Sequence, residues 1–263
     1  MGFFSNVLGR NSREHFLALD IGTEIVKALV FRIEGGSGIV EGVGWVRQKS
    51  GNMQSGAVSD IAGVIDSCRE AILLAEEQAS AKNVRKSIVG IAGELVKGTT
   101  TTVHYERVNP EVKISLSELR MIVEKVQEKA YERIHKQLAW ETNQSEIDVK
   151  LINAAVVDVR IDGYRVTNPL NFQGRDVSMS IFNAYAPMIH LGAIESIASA
   201  LHLDLINIAA EPYAVARSVE VEDMLDFSAI FIDIGGGTTD IAVVRNGGLE
   251  GTKMFALGGR AFT

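Results

Sequence analysis

FIDIGGGTTDIAVV, residues 231–244, sets three consecutive glycines between two aspartates and runs out into β-branched apolar residues. Both arms have strand composition, so the segment reads as a hairpin whose turn dispenses with side chains. Glycine lets a backbone approach a ligand closely and adopt positive φ, and successive N–H groups in such a turn form an anion-binding concavity. Gly235, Gly236 and Gly237 therefore suit a phosphate, with Thr238 and Thr239 as hydroxyl donors. For this stretch alone the alternative is a bare hairpin turn, which Gly and Asp favour anyway.

The same frame stands far upstream in LALDIGTEIVKALVF, residues 17–31: an apolar residue, Asp-Ile-Gly, then Thr and a β-rich run. An internal repeat of this kind predicts two related halves facing each other with a site between them. Gly22 and Thr23 are then the first turn's counterparts of the glycine loop. Asp20 and Asp233 would repel a bare polyphosphate. A hard cation resolves the conflict, and Mg²⁺ with its retained waters is the natural bridge from carboxylate to phosphate oxygens, so the expected ligand is a magnesium nucleotide. Asp240 either faces the phosphate or caps the turn. Glu211, in AAEPYAVA (209–216), opens a predicted helix with Pro212 as its first helical residue. Its carboxylate either caps that helix, favoured by the dipole, or orients a water for attack on a γ-phosphate.

Composition narrows the alternatives. A chain of 263 residues, 46% hydrophobic, can bury a sizeable core, and its formal charge of −7 with pI near 5.3 argues against a nucleic-acid partner. Cys68 is the sole cysteine, which excludes an internal disulfide and a cysteine-rich metal site. At helical spacing with Ile61, Ile65 and Ile72 it reads as a small core residue. The histidines show no ligand spacing, and GxxxxGK[ST] is absent. No apolar run approaches the roughly 20 residues that span a bilayer, and no cleavable leader opens the chain, so a cytoplasmic location is expected. Phe3, Phe4, Val7 and Leu8 would share one face of a short helix able to dip into a lipid interface; the alternative is a disordered leader.

Along the chain, a hairpin over 16–31 and a strand around 39–46 precede a loop and an amphipathic helix over 60–79. From about 99 to 167 a Thr-rich strand, a charged helix opened by the capping box Ser115–Glu118, and two strands around Asp162-Gly163 read as a small α+β insert. Strand, helix (188–201), strand and helix follow, and the last segment repeats the opening hairpin. The predicted organisation is a leader, 1–13; a first domain, 14–86 with 168–219; the insert, 87–167; and the start of a second domain, 220–263.

Together, LALDIGTEIVKALVF, AAEPYAVA and FIDIGGGTTDIAVV resemble the first phosphate, connecting and second phosphate motifs of the actin, Hsp70 and sugar-kinase superfamily. EPYAVARSV, DIGGGTTDIAVVRNGGL and LGGRAFT, with the insert, are similar to the FtsA family of bacterial cell-division proteins. The resemblance implies an α/β, actin-like ATPase (ribonuclease H-like) fold with an insert subdomain of the SHS2 type and an incomplete second actin-like domain. It implies that Asp20 and Asp233 hold hydrated Mg²⁺, that Gly22, Thr23 and Gly235 to Thr238 cradle the phosphates of ATP, and that Glu211 aligns the attacking water. It further implies slow ATP hydrolysis, self-association, the tubulin-like partner FtsZ and a peripheral place at the inner face of the membrane. In that family the adenosine-binding glycines and the FtsZ-binding surface lie beyond the length seen here, so the 263-residue chain is expected to bind ATP weakly or not at all. PilM-like proteins of type IV pilus assembly and a metabolic kinase of the superfamily are the alternatives.

Overall fold

Phe16, Leu17, Leu19 and Ile21 are buried on strand β1 (His15–Ile21), and Val26, Ala28 and Val30 on strand β2 (Ile25–Glu34). In the computed structural model, which describes residues 14–54, 56–142, 147–218, 227–245 and 248–262, these strands form the predicted hairpin, paired from His15↔Arg32 to Ile21↔Val26. The leader, with Phe3 and Phe4, lies outside the described residues, as does the predicted junction at 219/220.

Next come β3 (Ser37–Arg47), the short β4 (Met53–Gln54) and β5 (Ala57–Val58), helix α1 (Ile61–Gln78) and β6 (Lys86–Ile91). The Asp60 carboxylate accepts the Ala62 N–H at 3.1 Å, capping α1. The buried stripe of α1 is Val64, Ser67, Cys68, Ala71, Ile72 and Ala75. Cys68 is thus a core residue, its thiol pushed up to about 12 by burial, whereas Ile61 is exposed. The stripe turns toward the alanines because the helix rides directly on glycines of β3. A Cβ on Gly44 would stand 1.9 Å from Ala71 O, and one on Gly42 2.0 Å from Ala75 O.

The 3₁₀ turn Gly93–Leu95 leads into β7 (Lys97–Glu106), helix α2 (Leu116–Thr142), β8 (Val149–Ile161), β9 (Tyr164–Arg165) and β10 (Asp176–Pro187). Asp162 and Gly163 both take positive φ between β8 and β9, as a type I′ turn requires. On α2 the predicted stripe is buried at Ile122, Val126 and Ala130 and continues to Ile134 and Leu138. It packs on Val159, Ile161, Val177, Met179 and Ile181 of the sheet. Helix α3 (Met188–Ala200), β11 (Asp204–Ala210), α4 (Glu211–Ser218), β12 (Ala229–Ile234), β13 (Thr239–Arg245) and β14 (Gly248–Phe255) complete the order, with a 3₁₀ turn at Gly259–Phe262.

Two compact units result. One comprises residues up to Met53, Val58–Gly90 and Ala193–Asn207, the other Gln54–Ala57, Ile91–Gly192 and the residues from Ile208 on. The first unit contains a five-stranded sheet in the order β11-β6-β1-β2-β3, with β6 parallel to β1. The second contains a seven-stranded sheet in the order β12-β13-β14-β7-β10-β8-β9.

This grouping differs from the predicted organisation. β10 pairs with β7 and β8 along its whole length, so this strand shares a sheet with the insert strands, while Ala193–Asn207 groups with the first unit. The closing hairpin also joins the insert sheet, through Gly251↔Thr99 and a bond from Thr100 Oγ1 to Leu249 O at 2.8 Å. Missing side chains allow that approach: a Cβ on Gly98 would meet Thr252 Oγ1 at 2.7 Å.

Candidate phosphate turns and their carboxylates

Asp20 is the penultimate residue of β1, and the turn behind it is closed by backbone packing. A Cβ on Gly22 would lie 2.6 Å from Ile25 O, which excludes any side chain there. The turn is anchored on its far side, where Gln48 N–H donates to Glu24 O at 2.8 Å and Arg47 pairs with the Glu24 carboxylate at 2.7 Å. Asp20 lies opposite Lys27 in the ladder, and its carboxylate holds the Lys27 ammonium at 3.0 Å. Lys27 was not among the sequence candidates. The signal was there, since a hairpin turning at 22–24 places residue 27 beside residue 20.

The second turn has the same plan with one change of charge. Asp233 is the penultimate residue of β12 and pairs with Asp240 of β13. At the same offset from its aspartate, the first hairpin carries a cation and the second a carboxylate. Two acids directly opposite on one face of a ladder repel. Burial, and after it the Asp233 charge, pushes the Asp240 carboxyl up to about 6. Asp240 is only 7% exposed, and its Oδ1 has no hydrogen-bond partner among the described residues. Leaving such an oxygen unmatched costs on the order of 1–3 kcal/mol.

The glycines do not act by positive φ. Gly22, Gly235, Gly236 and Gly237 all lie outside the left-handed region. Bare backbone matters instead at Gly258, whose Cβ would stand 2.6 Å from both Gly235 O and Thr238 N. Gly259 N–H donates to Gly235 O at 2.9 Å and Arg260 N–H to Gly236 O at 3.0 Å, so the two glycine turns are laced together. Gly235 N–H donates to Thr238 O at 2.8 Å inside the turn. Thr238 is buried. The Thr239 hydroxyl donates to Leu257 O at 2.7 Å, so its hydrogen is engaged within the protein.

Glu211 opens α4, half-buried, with Pro212 buried in the same first turn. The approach to this end is fixed by Ala210 N–H, which donates to Asn153 Oδ1 at 2.8 Å, and by Tyr213 stacked on Phe182 with ring centroids 6.1 Å apart. Asp240 belongs to the same neighbourhood. A Cβ on Gly93 would meet Asp240 Oδ1 at 1.9 Å and Pro212 Cγ at 2.7 Å, so the 3₁₀ turn, the start of α4 and β13 converge on this carboxyl.

Among the described residues no three His, Cys, Asp or Glu side chains form a metal cage. The residues present fit a magnesium ion in another way: the second hairpin offers a pair of adjacent carboxylates, one with an unmatched buried oxygen. Mg²⁺ is commonly held by one or two carboxylates, waters and substrate phosphates.

No family model matches the sequence. The chain is 28% identical over 259 residues to the cell division protein FtsA of Bacillus subtilis (strain 168), covering 96% of this chain and 54% of that protein. It is 26% identical over 257 residues to FtsA of Pseudomonas aeruginosa, covering 96% and 56%. It thus spans about half the length of the curated relatives it matches. Among solved structures it is similar to a chain of the PilM-PilN type IV pilus biogenesis complex, with TM-score 0.60 and 15% identity, covering 97% of this chain and 64% of that one.

Proposed function

From an FtsA-like sequence carried on an actin-like ATPase fold, we propose that this chain is the nucleotide-binding part of an ATP-regulated scaffold in bacterial cell division. The observation that carries the reading is the repeated hairpin. Asp20 and Asp233 occupy equivalent places before equivalent glycine turns, on a chain aligned with FtsA over 96% of its length.

Asp20 and Asp233 are the carboxylates assigned to hydrated Mg²⁺, and each turn is assigned to nucleotide phosphate. In the first, Gly22 and Thr23 approach the phosphates, and Lys27, which balances Asp20, adds positive charge. In the second, Gly236, Gly237 and Thr238 supply donors, Gly235 shapes the turn, and Thr239 locks it to Leu257. Glu211 orients the attacking water from the start of α4. When bound, Mg²⁺ neutralises phosphate charge. Hydrolysis is slow and serves as a timer for assembly. The partners in this reading are a second copy of the chain, the tubulin-like FtsZ, and the inner face of the cell membrane, touched peripherally. No helix among the described residues is long and apolar enough to cross a membrane.

The pilus alternative shares the fold, which by itself does not separate the two roles; the sequence relatives favour division. Localisation decides between them. A fluorescent fusion at the native locus forms a midcell ring that depends on FtsZ. Polar foci that follow the pilus machinery would count against the division role.

A further inference from the structure

Asp240 Oδ1 is buried against carbon. It lies where a side chain of residue 93 would begin, with the Pro212 ring beside it, and no donor among the described residues reaches it. The carboxyl is also cross-strand neighbour to Asp233. A carboxylate in such surroundings would normally be displaced toward solvent or replaced by an apolar group, because an unmatched buried acceptor is destabilising and a like charge alongside adds to the penalty. Here three separate elements hold it in place, and residue 93 contributes by having no side chain.

We propose that Gly93 is a positioning residue of the magnesium-nucleotide site: its bare Cα keeps the Asp240 carboxyl seated beside the start of α4, with one oxygen reserved for a donor that arrives with the ligand. That donor is a water of the hydrated cation, since Asp240 stands beside Asp233 and Pro212 directly follows Glu211. The proposal rests on the magnesium-nucleotide reading and adds to it a residue that belongs to neither phosphate motif. It also gives the charge difference between the hairpins a purpose: Lys27 faces phosphate charge, and Asp240 faces the water shell of the metal.

The test uses the ¹⁵N-labelled 263-residue chain with ATP and Mn²⁺ as a paramagnetic stand-in for Mg²⁺, read as broadening of the amide signals of residues 235–241. In the native chain, Mn²⁺ with ATP broadens them. In Gly93→Ala, at least fivefold more Mn²⁺ is needed for the same broadening, and the thermal midpoint falls. The double variant Gly93→Ala/Asp240→Ala relieves the clash, so it regains the midpoint but not the Mn²⁺ response. Asp240→Asn keeps the shape and the fold and also loses the response. Recovery of both readouts in the double variant would assign Gly93 a packing role only and overturn the proposal. Broadening left intact in Asp240→Asn or Gly93→Ala overturns it too, while leaving the nucleotide reading in place. No broadening in the native chain overturns the proposal, while the nucleotide reading, which allows weak or no binding by these 263 residues alone, still stands.

Discussion

Arg107 is 4% exposed, and its guanidinium is fully engaged. Nε and Nη2 hold the two Glu118 oxygens at 2.8 and 2.9 Å, and the remaining N–H groups donate to Val112 O, Gly174 O and Pro110 O. One side chain therefore ties the end of β7 to two loops and to the first turn of α2, which Ser115 Oγ caps by accepting Glu118 N–H at 3.2 Å. Removing one partner of a buried pair strands the other, so Arg107→Ala is expected to destabilise by about 3–5 kcal/mol in denaturant melts. Arg107→Lys should recover little of this, because an ammonium cannot match a bidentate fork. The Arg107 guanidinium, and secondarily the Ser115 backbone, hold the Glu118 carboxyl below its usual range, while the guanidinium itself is raised chiefly by Glu118. A depressed acid stabilises the fold above its unfolded value and ceases to as pH falls through the folded one. Acid should therefore destabilise the native chain more steeply than Arg107→Met. Asp240 has the opposite sign. With its value raised to about 6, its charged form opposes folding, and the penalty develops as pH climbs from about 4 to 6. Asp240→Asn should raise the thermal midpoint at pH 7.5 and lose that advantage below pH 4. Residues of these two kinds differ in how visible they are in sequence. Asp20 and Asp233 stand in a repeated local frame, whereas the partners of Arg107 are carbonyls on distant loops, and Asp240 is confined by a glycine nearly 150 residues earlier.

Elements marked by their own periodicity were legible: the first and last hairpins, α2 with its capping box, the Asp162-Gly163 turn, and the strand running into α4. What failed was set by long-range packing. The buried stripe of α1 rotated away from Ile61 because β3 presents Gly42 and Gly44, so the helix backbone and its alanines, not its isoleucines, decide the contact. Gln78, at the end of α1, then accepts the Val43 N–H at 2.8 Å and protects the edge of β3. Gly44→Ala must push Ala71 O away and should cost at least about 1–3 kcal/mol, the usual range for overpacking. The same substitution at Gly38, which has only an ordinary 3.6 Å contact with Phe31, should be close to neutral. Chemical denaturation of the two variants makes the comparison. The sheet partners of β10 were not legible for a related reason. The length of β10 is plain in VSMSIFNAYAP, but its partners β7 and β8 lie on either side of α2, and composition does not say which strands it will join.

At the scale of the whole molecule, the sequence is similar to FtsA over 96% of the chain and the fold to a chain of the PilM-PilN complex, and the site reading follows from two aspartate hairpins of matched register. The first pairs its aspartate with Lys27 and the second with Asp240, and magnesium and phosphate are the proposed ligands of each turn. Amide shifts of the labelled 263-residue chain, titrated with ATP to millimolar concentration in the presence of Mg²⁺ or EDTA, test this most directly. Mg²⁺-dependent shifts are expected at residues 22–24 and at 235–240, those at 235–240 abolished by Asp233→Asn. Shifts that ignore EDTA, or that persist at 235–240 in Asp233→Asn, would contradict it.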